Sequence, residues 1–150
     1  MRIRGVIALS AVALVLGGCG GDGGGGEELT ADEFRQQADA ICTEFEGRLN
    51  ELGTPESLDD LQNFVSDAVP IIEEGNAQLH ELNPPEELQE KWDRAMEVND
   101  EQLETVRDLR DAVGDGDQAR VQELLQEGDD ANAEADQLAA DLGLEDCGSD

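Results

Sequence analysis

Tyrosine is absent from this chain of 150 residues, and it has one histidine, one tryptophan, three phenylalanines and only nine basic residues. Each shortage excludes something. With so few aromatic side chains (Phe34, Phe45, Phe64 and Trp92), any core must be built from aliphatic residues and alanine, which suits closely packed helices. Nine Lys and Arg against 38 Asp and Glu leave a net charge of −29. Nucleic acid is therefore excluded as a partner, and polyphosphates or anionic head groups would have to work against the protein's own field.

The lone His80 limits the chemistry as well. Ferritin-like di-iron sites need two Glu-x-x-His pairs, and hydrolytic triads need a base. His80 lies one residue off an apolar stripe beside Glu81 and reads as a boundary or surface residue. Asp111, Asp115, Gly116 and Asp117 superficially resemble a calcium loop. In that register Val113 takes a ligand position and Gln122 replaces the closing glutamate, so a turn with an Asp cap is the better reading. No metal site, no cofactor and no catalytic residue is expected.

The informative presence is at the amino terminus. Arg2 and Arg4 precede an apolar run over residues 6–16, which is followed by two small residues and a cysteine. These are the n-region, h-region and cleavage site of an export signal. The run is well short of the roughly 20 residues that a membrane-spanning helix needs. Leu16-Gly17-Gly18-Cys19 resembles the lipobox of bacterial lipoprotein precursors, which implies cleavage between Gly18 and Cys19 and acylation of Cys19. More than one acyl chain on one residue gives stable anchoring. Six glycines and an aspartate fill residues 20–26, a composition that suits a flexible tether. The expected organisation is a signal peptide over 1–18, a lipidated cysteine with its linker over 19–29, and a folded domain over 30–150. Removing Arg2 and Arg4 with the signal takes the net charge from −29 to −31.

Three cysteines become an even number once Cys19 is assigned to lipid. Cys42 and Cys147 are then expected to form a disulfide in an oxidising compartment. They lack the Cys-x-x-Cys spacing of a redox or zinc pair.

The rest reads as four amphipathic helices. Thr30 and Glu33 form a capping box, with Leu29 placed to pack on Phe34. Phe34, Ala38, Ile41, Phe45, Leu49 and Leu52 make the first stripe, stopped by Gly53, and Pro55 stands where a second helix can begin. Leu58, Leu61, Val65, Ala68, Ile72, Gly75, Leu79 and Leu82 recur at helical spacing, with Pro70 expected to kink them and Asn83-Pro84-Pro85 to end them. A third helix starts near Pro85 with Leu88, Trp92, Ala95, Asn99, Leu103, Val106 and Val113 on its buried face. After a turn at Gly114-Asp115-Gly116-Asp117, the fourth stripe is Val121, Leu124, Gly128, Ala131, Ala135, Leu138 and Leu142. Gly128, Ala131 and Ala135 are small enough to admit a neighbouring helix. Four such stripes joined by short turns predict an all-α, up-down-up-down four-helix bundle. For Cys147 to reach Cys42 the tail must reverse at Gly143 and run back along the first helix.

The mature region resembles small, uncharacterised actinobacterial lipoproteins. The similarity rests on Ala38-Asp39-Ala40-Ile41-Cys42, Leu82-Asn83-Pro84-Pro85, Gly116-Asp117 and Cys147-Gly148. It implies an envelope location, a helical fold and the disulfide, and carries no activity with it.

The functional expectation is a non-enzymatic, lipid-anchored module on the extracytoplasmic face of the cell membrane. It acts through its surface on an envelope protein, in interaction or envelope maintenance. The alternative is a carrier of a small apolar ligand or divalent cations. Trp92, Met96 and Asn99 mark the region where an apolar ligand is expected, with Asn99 alternatively pairing with Asn132 or sitting at the stripe edge. A dry cavity near Trp92, or a copurified ligand seen by native mass spectrometry, favours the carrier, and a filled core with an exposed apolar patch favours the interaction module.

Overall fold

The computed structural model describes residues 29–148, so Gly18, Cys19 and the glycine-rich tether lie outside the described residues. Those residues form four helices and no strand: α1 (Ala31–Glu51), α2 (Leu58–His80), α3 (Glu86–Asp115) and α4 (Gln118–Leu142). Together they make a helical bundle.

The helix ends follow local chemistry. Thr30 closes the expected capping box, its Oγ1 accepting from the Glu33 amide at 3.3 Å while Glu33 Oε2 accepts from the Thr30 amide at 3.1 Å. The Thr30 hydroxyl also donates to the same Glu33 oxygen at 2.6 Å, and this bond holds the Glu33 carboxyl below its ordinary pKa. The second helix begins later than Pro55 suggests. Ser57 caps it through the Asp60 amide, because a side-chain acceptor satisfies an orphan N–H that proline cannot. α3 likewise runs through Gly114 to Asp115. Only Gly116 turns, at φ 71°, after which the amide of Asp117 returns to Ala112 O and its side chain caps α4 through the Arg120 amide. Pro70 interrupts neither the continuity of α2 nor its packing. It lies on the exposed face, where water can serve the carbonyl four residues back.

The core contains two clusters, and Phe45, Ala68, Val69, Val98 and Leu103 are buried as well. One cluster joins Phe34, Ala38, Leu79, Leu88, Trp92, Met96, Ala139, Leu142 and Leu144, with Leu29 and Ile41 against it. The other joins Val65, Leu109, Ala112, Val121 and Leu124 and draws nothing from α1. The reason is length. α1 has 21 residues and α3 has 30, so α1 covers only the end of the bundle that carries the chain's first cluster.

Seven of the nine basic residues fall in the described part, and all are engaged. Arg48 pairs with Glu74 across α1 and α2, Arg107 with Glu73 across α2 and α3, and Arg94 with Glu134 across α3 and α4. Arg120 reaches Asp108 from α4 to α3. The scarce positive charge therefore stands at every sequential helix seam, where like-charge repulsion is closest.

Gly128 does not admit a neighbouring helix, since a Cβ there would meet nothing within 4 Å. Gly75 does. A Cβ at that position would lie 2.9 Å from Phe45 Cγ, so this glycine sets the approach of α1 to α2.

Candidate functional site

Two openings in the bundle surface adjoin the cluster that contains Trp92. A cleft of about 250 Å³ is walled by apolar residues of α1 and α2, including Ile41, Phe45, Leu49, Ile72 and Leu79, and by Asn76, Asn99, Gln102, Val106 and Asn132. A smaller recess of about 120 Å³ is lined by Trp92, Ala95, Met96, Asn99, Ala135, Ala139 and Leu142. The two share Asn99, Leu79, Cys42 and Cys147. Ala95, Asn99, Val106 and Ala135 are half-buried where they line these openings.

The carboxyl-terminal tail closes one end. Gly143 reverses the chain in the left-handed region at φ 76°, and the Leu144 amide returns to Ala139 O at 2.9 Å. Arg35 Nε donates to Leu142 O at 2.8 Å, and Lys91 Nζ to Asp141 O at 3.0 Å. Two cations from neighbouring helices thus serve the negative end of α4, whose own last turn has no basic residue. Asp39 Oδ1 then accepts from both the Glu145 and Asp146 amides at 3.0 Å. The Cys42–Cys147 disulfide forms, with a Cα–Cα distance of 5.1 Å, and its two cysteines line both the cleft and the recess.

Trp92, Met96 and Asn99 come together in the recess. Trp92 is only 4% exposed and stands edge-on to Phe34, ring centroids 4.9 Å apart. Asn99 does not pair with Asn132, whose Oδ1 instead accepts from Gln102 Nε2 at 2.8 Å. Its own amide has no hydrogen-bond partner among the described residues.

A second amide enters the wall from α2. Asn76 Nδ2 donates to Asp100 Oδ1 at 2.7 Å, and His80 Nε2 lies 3.0 Å from the same oxygen. The Asp100 carboxyl is held below its ordinary pKa, chiefly by the Asn76 bond, with burial opposing and His80 assisting. An ionised carboxylate only accepts, so Nδ2 must face it and the amide orientation of Asn76 is fixed. Its Oδ1 is then left buried without a partner.

Asn76 and Gln102 escaped the sequence reading, and Asn132 entered it only as an alternative partner for Asn99, because an exposed and a cleft-facing amide look alike until the helices are set in register. Only Asn99, a polar residue inside an apolar stripe, carried a signal. His80 lies outside the cleft, in an open groove of about 470 Å³ with Asp93, Glu97, Asp100, Glu101 and Glu104.

The cleft lining has Glu46 as its one ionisable side chain, its cysteines being bonded to each other. Nothing there couples a nucleophile to a base. The arrangement can hold an apolar body and address it with amides. Among the described residues no helix is long and apolar enough to cross a membrane, and no three His, Cys, Asp or Glu residues converge as metal ligands. No known protein family, curated protein or solved structure matches the chain.

Proposed function

We propose that this chain is a lipid-anchored extracytoplasmic carrier, held to the cell membrane through Cys19 and binding a small, mainly apolar molecule in the cleft and recess between its helices, without catalysing a reaction. The observation that carries the reading is the cleft of about 250 Å³ and the adjoining recess of about 120 Å³ beside Trp92, both lined mainly by apolar side chains. The interaction-module reading has less support: among the described residues Leu58 and Leu125, at 51% and 46% exposure, are the exposed large apolar side chains and sit on different helices. That is a small area for a partner protein to cover.

In this reading the helices run up-down-up-down. The contacts Arg48 with Glu74, His80 with Asp100, Arg107 with Glu73, Arg94 with Glu134 and Arg120 with Asp108 descend one helix as they ascend the next. The lipobox, tether and disulfide agree with an actinobacterial type of envelope lipoprotein, and the net charge excludes nucleic acid as the cargo's source.

The test has two arms. Cys19→Ala should release the domain from membranes or stall its processing, and membrane retention of the fully processed variant would refute anchoring. Native mass spectrometry of the chain extracted gently from membranes should show a bound small molecule that is lost in Ala135→Phe, which fills the recess. Equal occupancy in both proteins would refute the site.

A further inference from the structure

We infer that the ligand carries a positive charge: its apolar body sits at Trp92 and Met96, and its ammonium group lies in the open groove outside them. The inference rests on the carrier reading and adds to it the charge of the ligand.

The groove and the recess share a wall. Trp92 and Met96 line both, and Leu82 adds a further apolar side chain to the groove. The groove's carboxylates, Asp93, Glu97, Asp100, Glu101 and Glu104, all come from α3 and follow one another at steps that keep them on one helix face. An apolar wall beside a row of charges of one sign fits an amphiphile. Its body is taken from water while its head group keeps part of its hydration in the open groove. The cavity supplies the site, and the carboxylates supply its sign.

That sign is not cancelled locally. No lysine or arginine lines the groove, the cleft or the recess. His80, the one groove side chain able to become cationic, already faces Asp100 at 3.0 Å. Glu97 is answered by Arg94. Asp93, however, accepts from the neutral amide of Gln89, and the Glu101 and Glu104 carboxylates have no cationic partner among the described residues, whose arginines pair elsewhere. Like charges one helical turn apart oppose each other, and a cation between them removes that opposition.

The alternatives fit less well. An anionic ligand would approach this row of carboxylates against the field of the whole acidic domain. A divalent metal ion must exchange much of its water for oxygen ligands, and among the described residues no three acidic side chains converge to provide them. A singly charged organic head group needs only the field.

A matched ring series tests this on the full chain: cyclohexylammonium, cyclohexanecarboxylate and methylcyclohexane, each titrated against Trp92 emission at 0.01 M and 0.15 M salt. At low salt the ammonium should bind about tenfold more tightly than the carboxylate, since attraction of the one and repulsion of the other are each the size of an exposed ion pair. The difference should shrink to about threefold at 0.15 M, as the Debye length falls, with methylcyclohexane unaffected by salt. Glu101→Gln with Glu104→Gln should remove most of the difference and leave methylcyclohexane binding unchanged. Asp129→Asn with Asp130→Asn, which removes the same charge outside the groove, should leave the difference nearly intact. Equal affinity for the two ions, a preference for the carboxylate, a difference indifferent to salt, or equal effects of the two double variants would each overturn the inference. Should the Glu101 and Glu104 variant fail to fold, the wild-type preference and its salt dependence decide. Absence of binding by all three compounds would overturn the carrier reading itself.

Discussion

Removing the disulfide by the double change Cys42→Ala and Cys147→Ala should destabilise the domain chiefly through its unfolded state. The two cysteines are 105 residues apart in sequence, and closing a loop of that length restricts the unfolded chain by about 4.7 kcal/mol in the chain-entropy model. The folded state should change little. The tail stays held by Arg35 on Leu142 O, by Asp39 on the Glu145 and Asp146 amides, and by Leu144 in the core. Native disulfides usually contribute about 2–5 kcal/mol on removal, and a domain of this size moves by about 4 °C per kcal/mol. A fall in Tm of roughly 10–20 °C is therefore expected, with an unchanged helical signal below the transition. Differential scanning calorimetry of oxidised, reduced and double-variant protein measures it, with thiol titration confirming the redox state. The same Tm in all three would refute the argument that this cross-link limits the unfolded chain. Loss of helix in the variant at low temperature would refute the claim that the tail is held independently.

Two glycine substitutions should move stability in opposite directions: Gly128→Ala, with open space around its Cβ position, should gain about 0.5–1 kcal/mol from helix propensity, whereas Gly75→Ala should lose about 1 kcal/mol or more as Phe45 is displaced. Urea unfolding of both variants checks the signs. Asp100→Asn should destabilise the domain at neutral pH, because a carboxyl with a depressed folded pKa contributes stability above its unfolded value of about 3.9 and loses it as pH falls through the folded value. The difference from the wild type should therefore narrow in acid, and a constant difference from pH 7 to pH 3 would contradict that linkage. Sodium and calcium chloride at matched ionic strength should raise Tm equally, since screening shortens the Debye length from ~30 Å at 0.01 M to ~8 Å at 0.15 M and no metal-ligand cluster is present among the described residues. An additional, saturable shift with calcium would contradict simple screening.

Helix existence, the Thr30 cap, the reversal at Gly143 and the disulfide were legible because each depends on residues close in sequence or on a count of thiols. The stripes were legible in direction, though Leu58 turned out exposed, since α2 extends beyond the end of α1. What spacing alone misses is how far each helix reaches along its neighbours. α3 packs on both α2 and α4, so Val98, Leu109 and Ala112 are buried on a broader face than one stripe, while Asn99 and Val106 on the central stripe line the cleft. Gly128 and Gly75 are equivalent as sequence, and only the register of Phe45 distinguishes them. Trp92, Met96 and Asn99 could be grouped from their spacing on one helix, but the recess they share also needs residues of α2 and α4, which that spacing does not encode.

The most direct test of the central claim uses Trp92, the chain's single tryptophan, which lines the recess. Its emission is titrated with methylcyclohexane and cyclohexanol in the wild type and in Ala135→Phe, with Tm of both proteins measured alongside. The account predicts a saturable, one-site response in the wild type and none in a variant that remains folded. A wild type that never saturates, or a variant that responds as the wild type does, would contradict a ligand-binding cleft in this bundle.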